Sequence, residues 1–275
     1  MFYVFIKALV LQYLHDNQIH IWYLKTDEFN QETSAIQYLA ILADEEKKRR
    51  SRFYFKKDQH RYLLTRYFVR CILSIYFPYI APAEWVFKTN KFGRPEISEA
   101  SILPDFSFNL SHTQNIIVCA VTKSGTLGID VEHVLKDRPL QRLSDRFFSY
   151  QEANFLNNLN EIERTTYFYK IWTLKEAFIK AEGKGLSIAL DSFWFKMRNN
   201  TIQFEFNSQL NTRRKKYYFF QTYFANDMID TCCELALAVH IKSKNIESLI
   251  TRLFKFSPSG DHQSELLSFN YHNKL

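Results

Sequence analysis

Glycine is scarce in this chain, with six residues in a length of 275. Five of them fall in three short segments, at Gly93, at Gly125 and Gly128, and at Gly183 and Gly185. Glycine tolerates backbone angles and close approaches that a side chain forbids. We therefore expect each glycine to serve a constrained turn or contact, and the three segments are where a functional site is sought first.

The composition is that of a globular chain with a real core, because 46% of the residues are hydrophobic and 24% are charged. Lys and Arg total 36 against 29 Asp and Glu, a net charge of +7, which favours anionic partners: a nucleotide, a nucleic acid, an acidic protein or a membrane surface. The four cysteines lack metal-ligand spacing, so we expect a reducing, cytoplasmic setting. No apolar run reaches 18 residues, so no transmembrane helix is expected.

Hydrophobic periodicity predicts an α/β (α+β) protein. Residues 35–77 read as helical, with Asp44 and Asp58 as N-caps. The loop between Pro82 and Pro104 is the expected boundary, which gives an N-terminal half at 1–105, a C-terminal half at 106–244 and a peripheral tail at 245–275. Further predicted elements are strands at 18–24, 106–109, 116–122 and 127–132, helices at 140–159 and 162–182, and β-rich runs at 192–198, 201–206, 217–224 and 234–241.

The segment Gly128-Ile-Asp-Val-Glu132 places two carboxylates on one face of a strand. Asp130 and Glu132 would suit a hard cation such as Mg²⁺, which prefers oxygen ligands and leaves positions for substrate phosphates. The alternative is an edge strand with a solvated acidic face. Taken alone, the pattern favours the alternative.

The segment from Trp172 to Leu186 predicts a helix that ends at Gly183. Glu176 and Lys180 lie at i and i+4 on one face, whereas Trp172 is expected to pack on another face. On this evidence alone a solvated ion pair is the favoured interpretation over a catalytic one.

The segment Phe-Asn-Leu-Ser111-His112-Thr offers a hydroxyl and an imidazole as phosphate contacts, with Arg94 upstream. A serine hydrolase is disfavoured, because adjacent strand residues point apart and no third orienting group is evident. Basic residues between Lys47 and Arg70 indicate either a multi-phosphate site or a solvated helix surface. A P-loop, a dinucleotide-binding glycine pattern and an H-E-x-x-H motif are all absent from the sequence.

Taken in order, the blocks EEKKRRSRFYFKKDQHRYLLTRYFVR, KFGRPEI, FNLSHT, LGIDVE and FYKIWTLKEAFIKAEGKGL resemble those of the Sfp-type 4′-phosphopantetheinyl transferases. The resemblance covers residues 43–195. It implies a pseudo-dimer of two similar α/β halves, with coenzyme A bound in the cleft between them. It also implies transfer of the phosphopantetheine arm to a serine of an acyl or peptidyl carrier protein, with release of 3′,5′-ADP, by a cytoplasmic monomer that uses neither nucleic acid nor a membrane.

The resemblance also assigns roles to individual residues. Mg²⁺, or Mn²⁺ in its place, would be held by Asp130, Glu132 and Glu176. The expected catalytic residues are Glu176, Lys180 and Asp130, with Glu176 as the candidate acceptor of the serine proton. The expected coenzyme A contacts are Arg49, Arg94, Ser111, His112 and Lys180.

Two other functions stay open on the residues alone. A Mg²⁺-dependent nuclease would share the acidic ligands, the lysine and the basic surface, although Val134 stands where such an enzyme usually has a lysine. A basic nucleic-acid-binding module would explain the net charge and the 17% aromatic residues. The basic run at 213–216 is a further prediction, as a docking surface for an acidic carrier protein.

Overall fold

A computed structural model describes residues 14–29, 35–98, 106–123, 125–135, 138–207, 216–226, 229–241, 249–257 and 262–272. Its helices are α1 Ala35–Ala40, α2 Asp44–Ser51, α3 Lys56–Tyr76, α4 Leu140–Phe147, α5 Tyr150–Asn157 and α6 Glu161–Glu182. Its strands are β1 Gln18–Lys25, β2 Phe87–Thr89, β3 Pro95–Ile97, β4 Ser107–Thr113, β5 Ile116–Thr122, β6 Gly125–His133, β7 Phe193–Arg198, β8 Thr201–Phe206, β9 Tyr218–Asn226, β10 Ile229–Ile241, β11 Ile250–Lys255, β12 Gln263–Leu266 and β13 Tyr271–His272.

The strands form two large sheets and one small hairpin. The first sheet has the order β12-β11-β1-β5-β4, and the second has the order β6-β10-β9-β13-β8-β7. Strands β2 and β3 form the hairpin. Each large sheet carries one long helix, α3 of 21 residues or α6 of 22 residues. The expected α/β pseudo-dimer of two similar halves is confirmed in these layers.

Alternation along the strands explains why the sheets stack. On β1, Ile19, Ile21 and Tyr23 are fully buried in a cluster shared with β6 and β10, while Trp22 and Leu24 join the cluster around α3. Successive side chains of a strand point to opposite faces. The molecule is therefore layered as helix, sheet, sheet and helix, with α6 packed on the outer face of the second sheet.

The edges of the two large sheets are joined by side chains in place of a backbone ladder. Asn109, Ser111 and Thr113, at every second position of β4, accept the N–H groups of Ile129 at 3.0 Å, Val131 at 3.4 Å and His133 at 3.0 Å on β6. A strand edge left unpaired would bury unsatisfied donors. The polar residues of the FNLSHT segment thus have a structural role, which brings β4 beside the acidic strand β6.

The division of the chain differs from the predicted one. Strands β4 and β5, which were assigned to the C-terminal half, pair within the first sheet beside β1. The predicted peripheral tail instead supplies β11, which pairs in parallel with β1, and its Leu253 and Phe254 are buried. Proline and polar residues suggested a boundary and a tail, but pairing between distant strands carries no local sequence signal.

Helix ends were predicted closely, and the caps less well. Helices α2 and α3 begin at Asp44 and Lys56, with Ala43 and Phe55 as their N-caps. Asp44 and Asp58 therefore lie inside the first turns instead of capping them, where their charge still complements the helix dipole. None of the helices within the described ranges has the length and hydropathy that crossing a bilayer requires.

Candidate active site

A cavity of about 920 Å³ opens between the two halves of the molecule. One wall comes from α2, α3 and the β2–β3 hairpin, and the other comes from β4, β6 and α6. Residues from all five of the sequence blocks quoted above meet here. Those predicted as site residues that line the cavity are Arg49, Ser111, His112, Asp130, Glu132, Glu176 and Lys180.

Lys180 is the centre of the polar contacts on the second wall. Its Nζ donates to Asp130 Oδ1 at 2.7 Å, to Ser111 Oγ at 2.9 Å and to the carbonyl of Ile129 at 3.2 Å. The Ser111 hydroxyl in turn donates to Asp130 Oδ1 at 2.8 Å. These hydrogen bonds connect helix α6 to β4 and β6, which are edge strands of the two large sheets.

Gly128 allows this closeness. A Cβ atom at this position would lie 2.0 Å from the carbonyl oxygen of Ala177 and 2.4 Å from the backbone nitrogen of Ala181. Because β6 and α6 touch backbone to backbone there, Lys180 on the helix reaches Asp130 two residues along the strand. The expectation of a forbidden side chain is confirmed, and the close neighbour is the backbone of α6.

Two of the three carboxylates, those of Glu132 and Glu176, have raised pKa values. Burial, followed by the nearby Asp130 carboxylate, raises the pKa of Glu132 to about 7. The same two causes raise the pKa of Glu176. Asp130 is 3% exposed, and its Oδ2 atom is buried without a hydrogen-bond partner within the described residues. Buried carboxylates that lie close together and have raised pKa values are typical of functional sites.

Basic side chains line the opposite wall. Arg49 on α2 is exposed, and Arg61 on α3 donates to Asp58 at 2.8 Å. His112 faces these cations from β4, and desolvation, followed by the charge of Arg61, lowers the pKa of its imidazole. The cavity therefore places cations and carboxylates on facing walls, as a ligand with several phosphates and a metal ion would require.

Two arginines of α3 differ from the expectation of a helix surface. Arg70 is 1% exposed and donates to the Glu46 carboxylate at 2.7 Å and to the carbonyls of Pro82 and Trp85. Arg66 pairs with the other oxygen of Glu46 and lies over the ring of Phe87, with its Cζ 4.4 Å from the centroid. Arg66, Arg70 and Glu46 all line the cavity. The role of Arg70 is nevertheless structural, because it is buried and its hydrogen bonds are to Glu46 and to backbone carbonyls.

Trp172 was expected to pack away from the site, yet it lines the cavity with Glu176 and Lys180. Its ring stacks on Phe168 at 5.8 Å between centroids. The spacing of four residues from Trp172 to Glu176 to Lys180 was the available signal, because residues at i and i+4 share a helix face.

Lys175, beside Glu176 in the chain, points the other way. It is fully buried, and its Nζ donates to Glu152 at 2.8 Å and to the carbonyls of Leu190 and Phe193, each at 2.7 Å. Burial lowers the pKa of Lys175, and the Glu152 charge opposes this change. The lysine of the W-x-x-K-E segment therefore fastens α6 to α5 and β7.

Arg94 lies apart from the other predicted phosphate contacts. Its neighbours Gly93 and Pro95 line the cavity, but Arg94 is absent from the lining, and its guanidinium donates to the carbonyl of Lys180 at 2.7 Å. The predicted docking run at 213–216 lies outside the described residues except for Lys216, whose Nζ is 5.0 Å from the ring centroid of Tyr218.

Known proteins match both halves of the chain. The family model described as 4'-phosphopantetheinyl transferase superfamily matches residues 126–233, and the model described as 4'-phosphopantetheinyl transferase, N-terminal, matches residues 22–124. The 4'-phosphopantetheinyl transferase Sfp of Bacillus subtilis is 37% identical over 165 residues, which cover 60% of this chain and 70% of Sfp. The chain belongs to the 4'-phosphopantetheinyl transferase superfamily.

A second relative supports the same placement in the superfamily. The 4'-phosphopantetheinyl transferase HetI of Nostoc sp. is 33% identical over 175 residues, which cover 63% of this chain and 72% of HetI. The two family models meet near residue 125, between β5 and β6, where the chain passes from the first sheet to the second. The boundary between the two family models therefore coincides with the passage from β5 to β6, although β11 and β12 later return to the first sheet.

The residues of this transferase-family cavity fit a divalent cation in their chemistry. The partnerless Oδ2 of Asp130 and the raised pKa values of Glu132 and Glu176 mark carboxylates whose mutual repulsion a cation would relieve. Within the described ranges, no three acidic, histidine or cysteine side chains converge closely enough to form a metal site as they stand. A metal centre at these carboxylates therefore stays a prediction.

Proposed function

We propose that this member of the superfamily transfers 4′-phosphopantetheine from coenzyme A to a serine of an apo acyl or peptidyl carrier protein. The single observation that carries the proposal is the cavity between the halves, with Lys180 and three carboxylates on one wall and arginines on the other. The nucleophile belongs to the partner protein. Ser111 is the serine among the described residues that line the cavity, and we assign it to phosphate binding because its hydroxyl is engaged by Lys180 and Asp130.

The proposed reaction is a displacement at phosphorus. The serine hydroxyl oxygen forms a bond to the phosphorus that bears the pantetheine arm. The bond from that phosphorus to the bridging oxygen breaks, and 3′,5′-ADP leaves. Such a reaction depends mainly on positioning and on neutralising the charge that develops on the phosphate oxygens.

Asp130, Glu132 and Glu176 are the residues that would hold Mg²⁺, or Mn²⁺ in its place. The ion would supply charge neutralisation at the pyrophosphate. Lys180 reaches the same region with its ammonium group and is the proposed donor of positive charge, or of a proton, to the leaving phosphate. Glu176 has a raised pKa because of burial and Asp130, and it is the proposed acceptor of the serine proton.

Arg49, Ser111 and His112 are the proposed coenzyme A phosphate contacts, together with Lys180. Arg61 and Arg66, which sequence reasoning had placed on the helix surface, add charge to the wall that carries Arg49. Arginine is suited to this role, since its planar fork binds phosphate through two hydrogen bonds. The net charge of +7 would speed association with an acidic carrier protein. We propose a cytoplasmic monomer.

The direct test mixes the protein with coenzyme A, Mg²⁺ and a panel of apo carrier proteins. Intact mass spectrometry should show a gain of one phosphopantetheinyl group on the carrier, absent when its acceptor serine is replaced by alanine. The proposal would be contradicted if no carrier were modified in a panel drawn from fatty acid, polyketide and nonribosomal peptide synthases. Cleavage of an oligonucleotide with Mg²⁺ would favour the nuclease alternative instead.

A further inference from the structure

The hairpin β2–β3 reaches from the first half of the molecule to the end of helix α6. Its turn is fixed internally, because Asn90 Oδ1 accepts the N–H groups of Phe92 at 2.9 Å and Arg94 at 3.0 Å. The backbone nitrogen of Asn90 also donates to the carbonyl of Arg94 at 3.0 Å. The backbone of Arg94 is therefore held before its side chain makes any contact.

The guanidinium of Arg94 contacts three elements at once. Nη1 donates to the carbonyl of Lys180 on α6 at 2.7 Å, while Nη2 lies 3.3 Å from the carbonyl of Phe108 on β4 and 3.5 Å from that of Leu127 on β6. Helix α6, β4 and β6 are also the elements that carry Lys180, Ser111 and Asp130. Arg94 thus contacts the backbone of Lys180 itself and joins the helix to the two strands that carry Ser111 and Asp130.

The same turn closes the C-terminal end of α6. Asn90 Nδ2 donates to the carbonyl of Gly183, the left-handed cap of the helix, at 3.0 Å. A Cβ atom at Gly183 would lie 3.2 Å from Arg94 Nη1, so the cap leaves room for the guanidinium. Carbonyls of a last helical turn lack partners within the helix, and a cation there is favourable. The carbonyl of Lys180 therefore accepts from Arg94, while its ammonium group donates to Asp130.

Arg94 is poorly placed for a phosphate of a ligand in the cavity. It does not line the cavity, and its guanidinium is directed at the last turn of α6 and at strands β4 and β6. Burial lowers the pKa of the guanidinium, although Glu96 nearby opposes this change. Its guanidinium donates to backbone carbonyls, whereas Arg49 and Arg61 line the cavity itself.

We infer that Arg94 is a positioning residue, which sets the place of Lys180 relative to Asp130 by joining α6 to β4 and β6, and that it does not bind coenzyme A. The inference rests on the proposed function for its kinetic consequence. Its structural consequence, an anchored end of α6, is independent of any activity. Loss of Arg94 should therefore lower kcat and leave the KM for coenzyme A nearly unchanged.

The test compares Arg94→Gln and Arg94→Lys with the matched control Lys91→Gln, which removes an exposed cation from the same turn. We expect Arg94→Gln to lower kcat on the order of tenfold to a hundredfold, since small displacements of a catalytic group cost that much. The KM for coenzyme A should stay within about twofold. Arg94→Lys, which can reach one of the three carbonyls, should fall between the wild type and Arg94→Gln, and Lys91→Gln should match the wild type.

Hydrogen exchange at the C-terminal turn of α6, measured by mass spectrometry without substrate, is the second readout. Arg94→Gln should speed exchange there and Lys91→Gln should not. A raised KM with unchanged kcat, or exchange identical to that of the wild type, would overturn the inference. If the wild type modifies no carrier, the proposed function fails while the exchange result still decides the role of Arg94. Should Arg94→Gln not fold, Arg94→Lys carries both measurements.

Discussion

The ammonium nitrogen of Lys180 lies 2.7 Å from Oδ1 of Asp130, while Oδ2 of the same carboxylate is buried and partnerless within the described residues. One oxygen is thus committed to the helix, and the other stays available for a ligand. Asp130 therefore links the helix that carries Lys180 and Glu176 to the strand that carries Glu132.

Lys180→Met should abolish most turnover without unfolding the protein. The side chain is 26% exposed in the cavity, and methionine keeps its length while removing the charge. We expect a loss in kcat of about 100-fold or more, because a charge aimed at the developing phosphate is removed. Carrier-modification rates measure the effect, and Lys184→Gln, an exposed lysine one turn on, is the control. Near-normal turnover of Lys180→Met would exclude Lys180 from the chemistry.

Gly128→Ala should weaken both folding and activity. The new methyl group would meet the backbone of α6 and push Lys180 away from Asp130. We expect the free energy of unfolding to fall by about 3 kcal/mol, at the upper end for overpacking. Gly93→Ala is the comparison, since nothing lies within 4 Å of its added Cβ and its positive φ alone should cost about 1 kcal/mol. Equal losses in urea denaturation would contradict the close packing of β6 on α6.

Lys175→Met should destabilise the fold more than it alters the chemistry. Glu152 would be left as an uncompensated buried charge, which costs about 3–5 kcal/mol. Adding Glu152→Gln, which removes the buried charge and whose single amide oxygen can still accept from the N–H of either Ser149 or Phe195, should recover part of that loss. A double-mutant cycle in urea measures the coupling, and additive losses would show that the two residues do not interact.

His20 predicts how stability depends on pH. Burial, with a smaller effect of Arg252, lowers the pKa of His20 to about 3 from its ordinary 6.5. The folded state therefore holds the neutral imidazole, so its stabilising effect is complete above pH 6.5 and is lost as the pH falls from 6.5 towards 3. We expect this group to cost about 2 kcal/mol between pH 7 and pH 5.

His20→Phe should remove that part of the pH dependence, since phenylalanine keeps a ring beside Phe254 and does not titrate. The measurement is the free energy of unfolding in urea at pH 7 and pH 5. His272→Gln, at an exposed position, is the control and should behave as the wild type does. An identical pH slope in His20→Phe and the wild type would show that His20 is not the responsible group.

The regular elements and the placement of the acidic residues in the cavity could be predicted from local sequence patterns. The expected helix 162–182 is observed at Glu161–Glu182, and strand 116–122 is observed with the same ends. Alternation placed Asp130 and Glu132 on one face, and both line the cavity. These features follow from periodicity and capping, which act over a few residues.

Contacts between residues that are distant in the sequence could not be predicted from local patterns. The sequence around Arg70 does not indicate that this side chain is buried, with the Glu46 carboxylate and the carbonyl of Pro82 as hydrogen-bond acceptors. The carbonyls that receive Arg94 come from three separate elements. A charged residue in a polar loop resembles a surface residue until tertiary structure supplies its partners.

Binding of Mn²⁺ in the presence of coenzyme A, followed by electron paramagnetic resonance, tests the proposed metal centre without relying on turnover. Wild-type protein should bind one ion. Asp130→Asn and Glu176→Gln should each weaken that binding by at least about tenfold, while Glu161→Gln, an exposed acid on the same helix, should leave it unchanged. Undiminished Mn²⁺ binding in Asp130→Asn and Glu176→Gln would show that these carboxylates do not hold the ion, and the proposed site would be contradicted.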